Sequence, residues 1–210
     1  MEAAASELSR RDRNKQKNRR EIIRAALSVF AEKGYDQASI QEIADRSDFA
    51  VSTLYGLFES KEDIYHKVSA YVGRTTGEIL DEAMGRGSDE YEKLVNFARA
   101  KGAVYKESPD GVRMLEHEQH HARLSGQPLP KNGIGEIYER FMQRIRDLFA
   151  SGVQKGLFVD LDPAILATSL DSMTTALIRL TQDDPQQFSF EDRIDDVIAI
   201  FFGPVLVKKK

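Results

Sequence analysis

Apolar residues recur every three or four positions along most of the chain, the period of α-helices that bury one face. Ile23, Ala26, Leu27 and Phe30 form the first such stripe, which ends at Gly34, where a left-handed C-cap costs least. Ser39-Ile-Gln-Glu42 is a capping box that opens a short second helix carrying Ile40, Ile43 and Ala44 and ending near Arg46. After a turn at Ser47-Asp48-Phe49, a third short helix places Leu54, Tyr55 and Phe58 on one face. Ser60-Lys-Glu-Asp63 then opens a longer helix over 61–85, with Ile64, Val68, Tyr71, Val72, Thr75 and Ile79 as its apolar positions.

The helical period continues over 89–107, 109–124, 134–154, 162–181 and 190–202. Pro109 and Pro163 suit first helical positions, Asp162 suits an N-cap, and Ser189-x-x-Asp192 opens the last helix. Loops are expected at Ser125–Pro130 and Gln182–Pro185. No strand alternation and no internal repeat emerges, so the fold class is all-α, with about nine helices.

Two short helices joined by about four residues fit a helix-turn-helix, whose second helix can enter a DNA major groove. Spacing alone fits plain bundle packing as well. The residues go further. Segment 39–68, SIQEIADRSDFAVSTLYGLFESKEDIYHKV, resembles the N-terminal region of the TetR family of bacterial transcriptional regulators. The match rests on Ile43-Ala44, Thr53-Leu54-Tyr55, Phe58 and Ser60-Lys61-Glu62, with Ala25-Ala26, Phe30, Gly34-Tyr35 and Ser39-Ile40 upstream.

The resemblance implies a homodimeric, one-component regulator, a repressor by family default. Such a protein binds a palindromic double-stranded operator and is released by a small-molecule effector of unknown identity. It implies a helix-turn-helix domain at 16–62 (motif 39–58), preceded by a flexible basic arm at 1–15, and an effector-binding and dimerisation domain at 63–210. In the family, the residues matching Thr53, Tyr55 and Lys61 approach operator phosphates. Lys61 stands at a helix N-terminus, which already favours an anion, and Tyr55 carries a hydroxyl on a stiff arm, although its spacing equally fits a core aromatic. Leu54 and Phe58 are assigned to the core. Lys17, Arg20 and Ser39 complete the expected backbone contacts, and Val51 and Ser52 the groove-facing start of the third helix.

This chain departs from the family in the turn. Ser47-Asp48-Phe49-Ala50 stands where Ala-Gly-Val-Ser is usual, so the left-handed position falls to Asp48 and the hydroxyl cap is lost at Ala50. Val51 can touch a thymine methyl and Ser52 can donate or accept, but neither gives the two-point discrimination of Arg or Asn. Affinity is therefore expected to lean on phosphate contacts.

Charge first seems to oppose that reading, because the formal net charge is −4 and the pI about 5.7. The distribution reverses the inference. Residues 10–24 carry eight basic side chains against Asp12 and Glu21, whereas over 1–68 the 12 basic and 12 acidic groups balance. The acidic excess belongs to residues 69–210.

In the C-terminal part, Leu166, Leu170, Met173, Leu177 and Leu180 recur at spacings of four and three, a coiled-coil-like seam. With Val197, Ile198 and Phe201 of the last helix they are expected to form a dimer interface, although an ordinary core helix has the same spacing. Phe97, Tyr105, Met114, His117, His121, Phe141 and Met142 are the candidate effector-pocket residues. Gly73 and Gly77 in the 61–85 helix are candidate bending points.

His117-Glu118-Gln119-His120-His121 matches H-E-x-x-H, in which two histidines one turn apart hold zinc beside a glutamate base. No downstream third-ligand motif completes it, so catalysis is not expected, and neither a cofactor nor a metal is assigned. A metal-responsive regulator or zinc-binding helical protein using His117 and His121 is the alternative. The chain has no cysteine, which removes thiolate chemistry, and its longest apolar run, 197–202, is far too short to span a membrane. A cytoplasmic protein without a membrane partner is expected.

Overall fold

A computed structural model describes residues 10–126 and 133–207, apart from the side chains of Arg10 and Arg123. Among the described residues it contains nine α-helices: α1 (Arg10–Gln37), α2 (Ile40–Ser47), α3 (Val51–Leu57), α4 (Lys61–Gly85), α5 (Glu90–Glu107), α6 (Pro109–Ser125), α7 (Ile134–Gln154), α8 (Pro163–Asp183) and α9 (Phe190–Val205). The one sheet-like feature among them is an isolated antiparallel bridge between Phe158 and Leu206, flanked by Val159 N–H to Val205 O and Val207 N–H to Leu157 O. The fold is all-helical, with an N-terminal helix-turn-helix and a helical C-terminal part.

The chain divides into two compact units. The first joins the residues up to Val72 with Asp110–Gly135, and the second joins Gly73–Pro109 with Glu136 onward. The division falls inside α4, and α6 groups with the helix-turn-helix. In the first unit, Ile22, Ala26, Phe30, Ile43, Leu54, Phe58, Ile64 and Val68 close a core that also takes in Met114 and Ile134. In the second, Leu94, Phe97, Ile145, Phe149, Phe158, Leu170, Phe201 and Phe202 form the centre of a larger core.

Helix ends follow local chemistry. Ser39 and Glu42 form the full capping box of α2, Asp89 and Asp162 cap α5 and α8, and Ser189 caps α9. Asp63 N–H bonds the Ser60 hydroxyl at the start of α4, and the Asp63 carboxylate receives Glu59 N–H in return. Gly34 interrupts α1 at φ 73°, ψ 171°, a region essentially reserved for glycine rather than the left-handed helical one that a simple C-cap needs.

Three expectations shift. Residues 10–15 belong to α1, so of the expected flexible arm only 1–9 lies outside the described residues; most of the expected 125–130 loop also lies outside them. On α4 the buried register is Ile64, Val68, Val72 and Leu80, with Ile79 only half-buried. Gly73 serves a close approach: a Cβ there would lie 2.8 Å from Ile137 Cγ2 on α7. A Cβ on Gly77 would meet nothing within 4 Å.

Candidate nucleic-acid interface

The sequence makes α2 and α3 short because polar turn residues stop them, and it orients them because each buries one apolar face against α1. Asp48 ends α2 in the left-handed conformation, at φ 58° and ψ 35°, and its N–H bonds Ala44 O and Asp45 O. Ala50 opens α3 without a side-chain cap. Both features follow from the departures in the turn. Ion pairs then fix α2 on α1. Arg46 grips the Glu32 carboxylate with both terminal nitrogens, and Lys33 pairs with Glu42. Glu42 also accepts from the Ser39 hydroxyl and backbone N–H, and these donors hold its carboxyl down to about 2.

On α3, Leu54 and Phe58 are buried while Tyr55 is 59% exposed, which decides between the two roles its spacing allowed. Ser52 is exposed beside it, and Val51 and Thr53 are half-buried at the edges of the same face. The presented surface is thus one phenol, two hydroxyls and an isopropyl group. It can bond phosphates and touch a methyl, with little capacity for two-point base reading.

The lysine expected at phosphate is engaged elsewhere. Lys61 Nζ donates to Tyr35 O at 2.8 Å and Ala38 O at 3.0 Å, and lies 4.4 Å from the Tyr35 ring centroid. It ties the start of α4 to the end of α1 and so acts on the helix-turn-helix as a brace. Ser39 likewise spends its hydroxyl on the α2 cap. Arg19, which spacing did not single out, donates to Leu57 O at 2.6 Å and stacks over Phe58, with 5.4 Å from guanidinium carbon to ring centroid. It satisfies an orphan carbonyl at the end of α3. Lys17 and Arg20 are exposed and line one groove along α1 with Arg13, Gln16, Glu21 and Arg24.

The expected pocket residues fall in different units. Phe97, Phe141 and Met142 come together in the second unit, where the Phe97 and Phe141 rings lie 5.6 Å apart and Tyr105 packs on the same core. Met114 is buried in the core of the first unit, and His117 and His121 are exposed there. In the second unit a part-buried polar network, absent from the sequence reading, adjoins Phe97. Lys101 Nζ donates to Asp171 Oδ1 at 2.5 Å and to Thr175 Oγ1 at 2.7 Å, and the Tyr138 hydroxyl donates to Asp171 Oδ2 at 2.6 Å. Burial and the Asp171 charge push the Tyr138 phenol up.

The H-E-x-x-H pattern does not assemble as a metal centre. Glu118 turns into the first unit's core, where it accepts from Tyr65, while His121 faces Asp36 with Nε2 3.4 Å from its carboxylate. Among the described residues no group of three or more potential ligands could hold a metal ion. No described helix is long and apolar enough to cross a membrane.

The expected dimer seam is mostly internal. Leu166, Leu170, Leu177, Ile198 and Phe201 are buried in the second unit's own core, with Met173 and Val197 half-buried. On α8 and α9 the exposed large apolar residues are Ile165 at 62%, Leu180 at 45% and Ile200 at 66%. On α8, Leu180 of the expected seam is thus left open, together with Ile165, which lies one position before the seam residue Leu166.

Residues 22–68 match the family model described as bacterial regulatory proteins, tetR family. The fatty acid metabolism regulator protein of Bacillus subtilis (strain 168) is 26% identical over 141 residues, which cover 65% of this chain and 68% of that protein. Among solved structures, FadR from Bacillus subtilis in complex with stearoyl-CoA aligns with a TM-score of 0.68 at 19% identity, covering 88% of this chain and 98% of that one. AibR in complex with isovaleryl coenzyme A and operator DNA aligns with a TM-score of 0.74 at 19% identity, covering 90% of this chain and all of that one. The matched segment coincides with the core of α1, the α2–turn–α3 unit and the start of α4, and the shared fold extends over the remaining helices. Residues 22–68 thus carry the N-terminal domain of the tetR family of bacterial regulatory proteins.

Proposed function

We propose that this protein is a homodimeric, one-component transcriptional repressor that binds a palindromic operator and releases it when a small molecule occupies the helical C-terminal part. The observation that carries this reading is α3 itself. It buries Leu54 and presents Ser52, Tyr55 and the edges of Val51 and Thr53 outward, on a helix short enough to lie in one major groove. Lys17 and Arg20, in a row on α1 turned away from α3, add phosphate contacts outside the half-site, and the α3 surface itself makes the half-site contacts. Lys61 and Ser39 support the same surface chiefly by holding α1 to α4 and by capping α2.

The exposed Ile165, Leu180 and Ile200 support dimerisation, since α8 and α9 pack together and leave these residues uncovered. A two-fold dimer sets two reading heads about 34–36 Å apart, or a multiple of that, on half-sites related by the same symmetry. For the effector we infer an acyl-coenzyme A thioester. Support comes from the relative that regulates fatty acid metabolism and from the two similar folds captured with stearoyl-CoA and isovaleryl coenzyme A. Such a ligand acts only if it binds the DNA-free arrangement more tightly than the DNA-bound one.

The test is selection of bound duplexes from a random library, followed by gel shifts of the selected duplex against short-, medium- and long-chain acyl-CoAs. An inverted repeat and its release by one chain-length class are expected. Recovery of no preferred sequence overturns the operator reading, and retention of the complex with every thioester overturns the effector class.

A further inference from the structure

The basic residues of α1 fall on two separate rows. Arg19 is fixed on the end of α3 through Leu57 O and Phe58. Arg11 and Lys15 precede it at four-residue intervals, which places them on its side of the helix. The second row is Arg13, Lys17, Arg20 and Arg24, all exposed and bordering one groove with Gln16 and Glu21. A helix advances 100° per residue, so this row lies roughly 100–160° around α1 from Arg19. It backs directly onto the face that buries Ile22, Ala26, Val29 and Phe30.

The two rows cannot serve one stretch of phosphates. A helix with its side chains is about 10–12 Å across, and the second row points away from the side that carries α3. Four cations spread over about 16 Å of helix axis nevertheless form a polyanion surface. The single carboxylate bordering their groove, Glu21, stands 3.9 Å from Lys17, whose side chain remains 75% exposed. A surface pair this loose is worth little and leaves the Lys17 ammonium available to an anion.

We infer that Arg13, Lys17, Arg20 and Arg24 form a second phosphate-binding surface that engages duplex DNA flanking the half-site contacted by α3. The row lies on the helix that begins the segment matching the regulator family's DNA-binding domain, and its charge complements duplex phosphates, so the partner it fits is the same duplex beyond the half-site. This contact carries no sequence information, because phosphates are alike at every step. It extends the footprint and makes affinity depend on flanking length. The inference rests on the operator-binding reading above.

The experiment uses the full chain and the selected inverted repeat, either trimmed to its half-sites or extended by about one helical turn on each side, about 10 base pairs. The comparison is with R13Q/K17Q/R20Q/R24Q, and with K17Q/R24Q as a milder variant. Glutamine keeps helix propensity and the substituted positions are exposed, so an unchanged melting curve is expected. Wild-type protein should bind the extended duplex at least about tenfold more tightly than the trimmed one. The fourfold variant should bind both equally, with a log–log salt slope on the extended duplex shallower by about 7, since the dimer loses four cations from each protomer, and the double variant should fall halfway. An undiminished flank effect in the fourfold variant overturns the inference, as does an equal loss on trimmed and extended duplexes. Loss of binding to anionic vesicles with unchanged DNA binding also overturns it and reassigns the row to a lipid surface. A wild-type protein that binds the trimmed repeat with no gain from flanks overturns the inference alone, whereas one that binds no duplex overturns the regulator reading itself.

Discussion

The Tyr65 hydroxyl donates to the Glu118 carboxylate and so joins α4 to α6 inside the first unit. Gly135 N–H bonds the other carboxylate oxygen at 3.2 Å, and no described cation pairs with it. Burial pushes the Glu118 carboxyl up, against the opposing pull of Tyr65 and the two backbone donors of Gly135 and Ile134. An acid whose folded pKa is raised stabilises the fold below its unfolded value and loses that contribution as pH climbs through the folded one. Wild type should therefore lose stability relative to E118Q as pH rises from the ordinary carboxylate range toward neutrality, in urea titrations at matched pH. E118A should be less stable than either by about 2–4 kcal/mol, because it leaves the buried Tyr65 hydroxyl and Gly135 N–H unpaired. A pH-independent difference between wild type and E118Q would remove the charge argument.

Asp48 holds the left-handed turn position that glycine occupies more easily. D48G should raise the stability of the helix-turn-helix by up to about 1 kcal/mol, and D48V should lower it by a similar amount or more. The same turn sets the angle between α2 and α3, so operator affinity should survive in D48G and fall in D48V. Thermal melts beside gel shifts check both arms.

Local chemistry was legible in the sequence and distant pairing was not. The Ser39–Glu42 box, the turn at Asp48 and the missing cap at Ala50 each involve residues within a few positions of one another, so spacing alone determines them. The Lys61 brace joins residues 23 and 26 apart, and the Lys101–Asp171 pair joins residues 70 apart, so neither leaves a periodic trace. Tyr55 shows an intermediate case, because its helix was readable while its exposure depended on which neighbours α3 meets. The α8 seam is a different case. Leu166, Leu170 and Leu177 are buried while Leu180 at the end of the same stripe is exposed, and periodicity cannot say how far along one stripe the chain's own core reaches.

Gly73 and Gly77 share a helix and should respond oppositely to alanine. G77A meets open space and gains helix propensity, raising stability by up to about 1 kcal/mol. G73A drives a methyl group to 2.8 Å from Ile137 Cγ2, an overpacking cost of about 1–3 kcal/mol that cancels or exceeds the same gain. Combining G73A with I137V should recover part of the loss. Equal stabilisation by both single variants would show that α4 and α7 do not need the close approach.

Ile165 and Ile200 decide whether the open row of α8 and α9 joins two copies of the chain. Each exposes most of its side chain and neither belongs to the second unit's core, so I165D/I200D should leave the protomer folded. In a two-fold dimer the pair counts twice. Removing four buried isoleucines withdraws about 6–12 kcal/mol of burial, more than about four orders of magnitude in dimer affinity. Light scattering should then report a monomer at micromolar concentration with a native helical spectrum, and operator binding should fall to that of a single reading head. L170D is the control on the other row, since Leu170 is fully buried and an aspartate there should unfold the second unit. A dimer that survives I165D/I200D would place the interface on another face of the molecule.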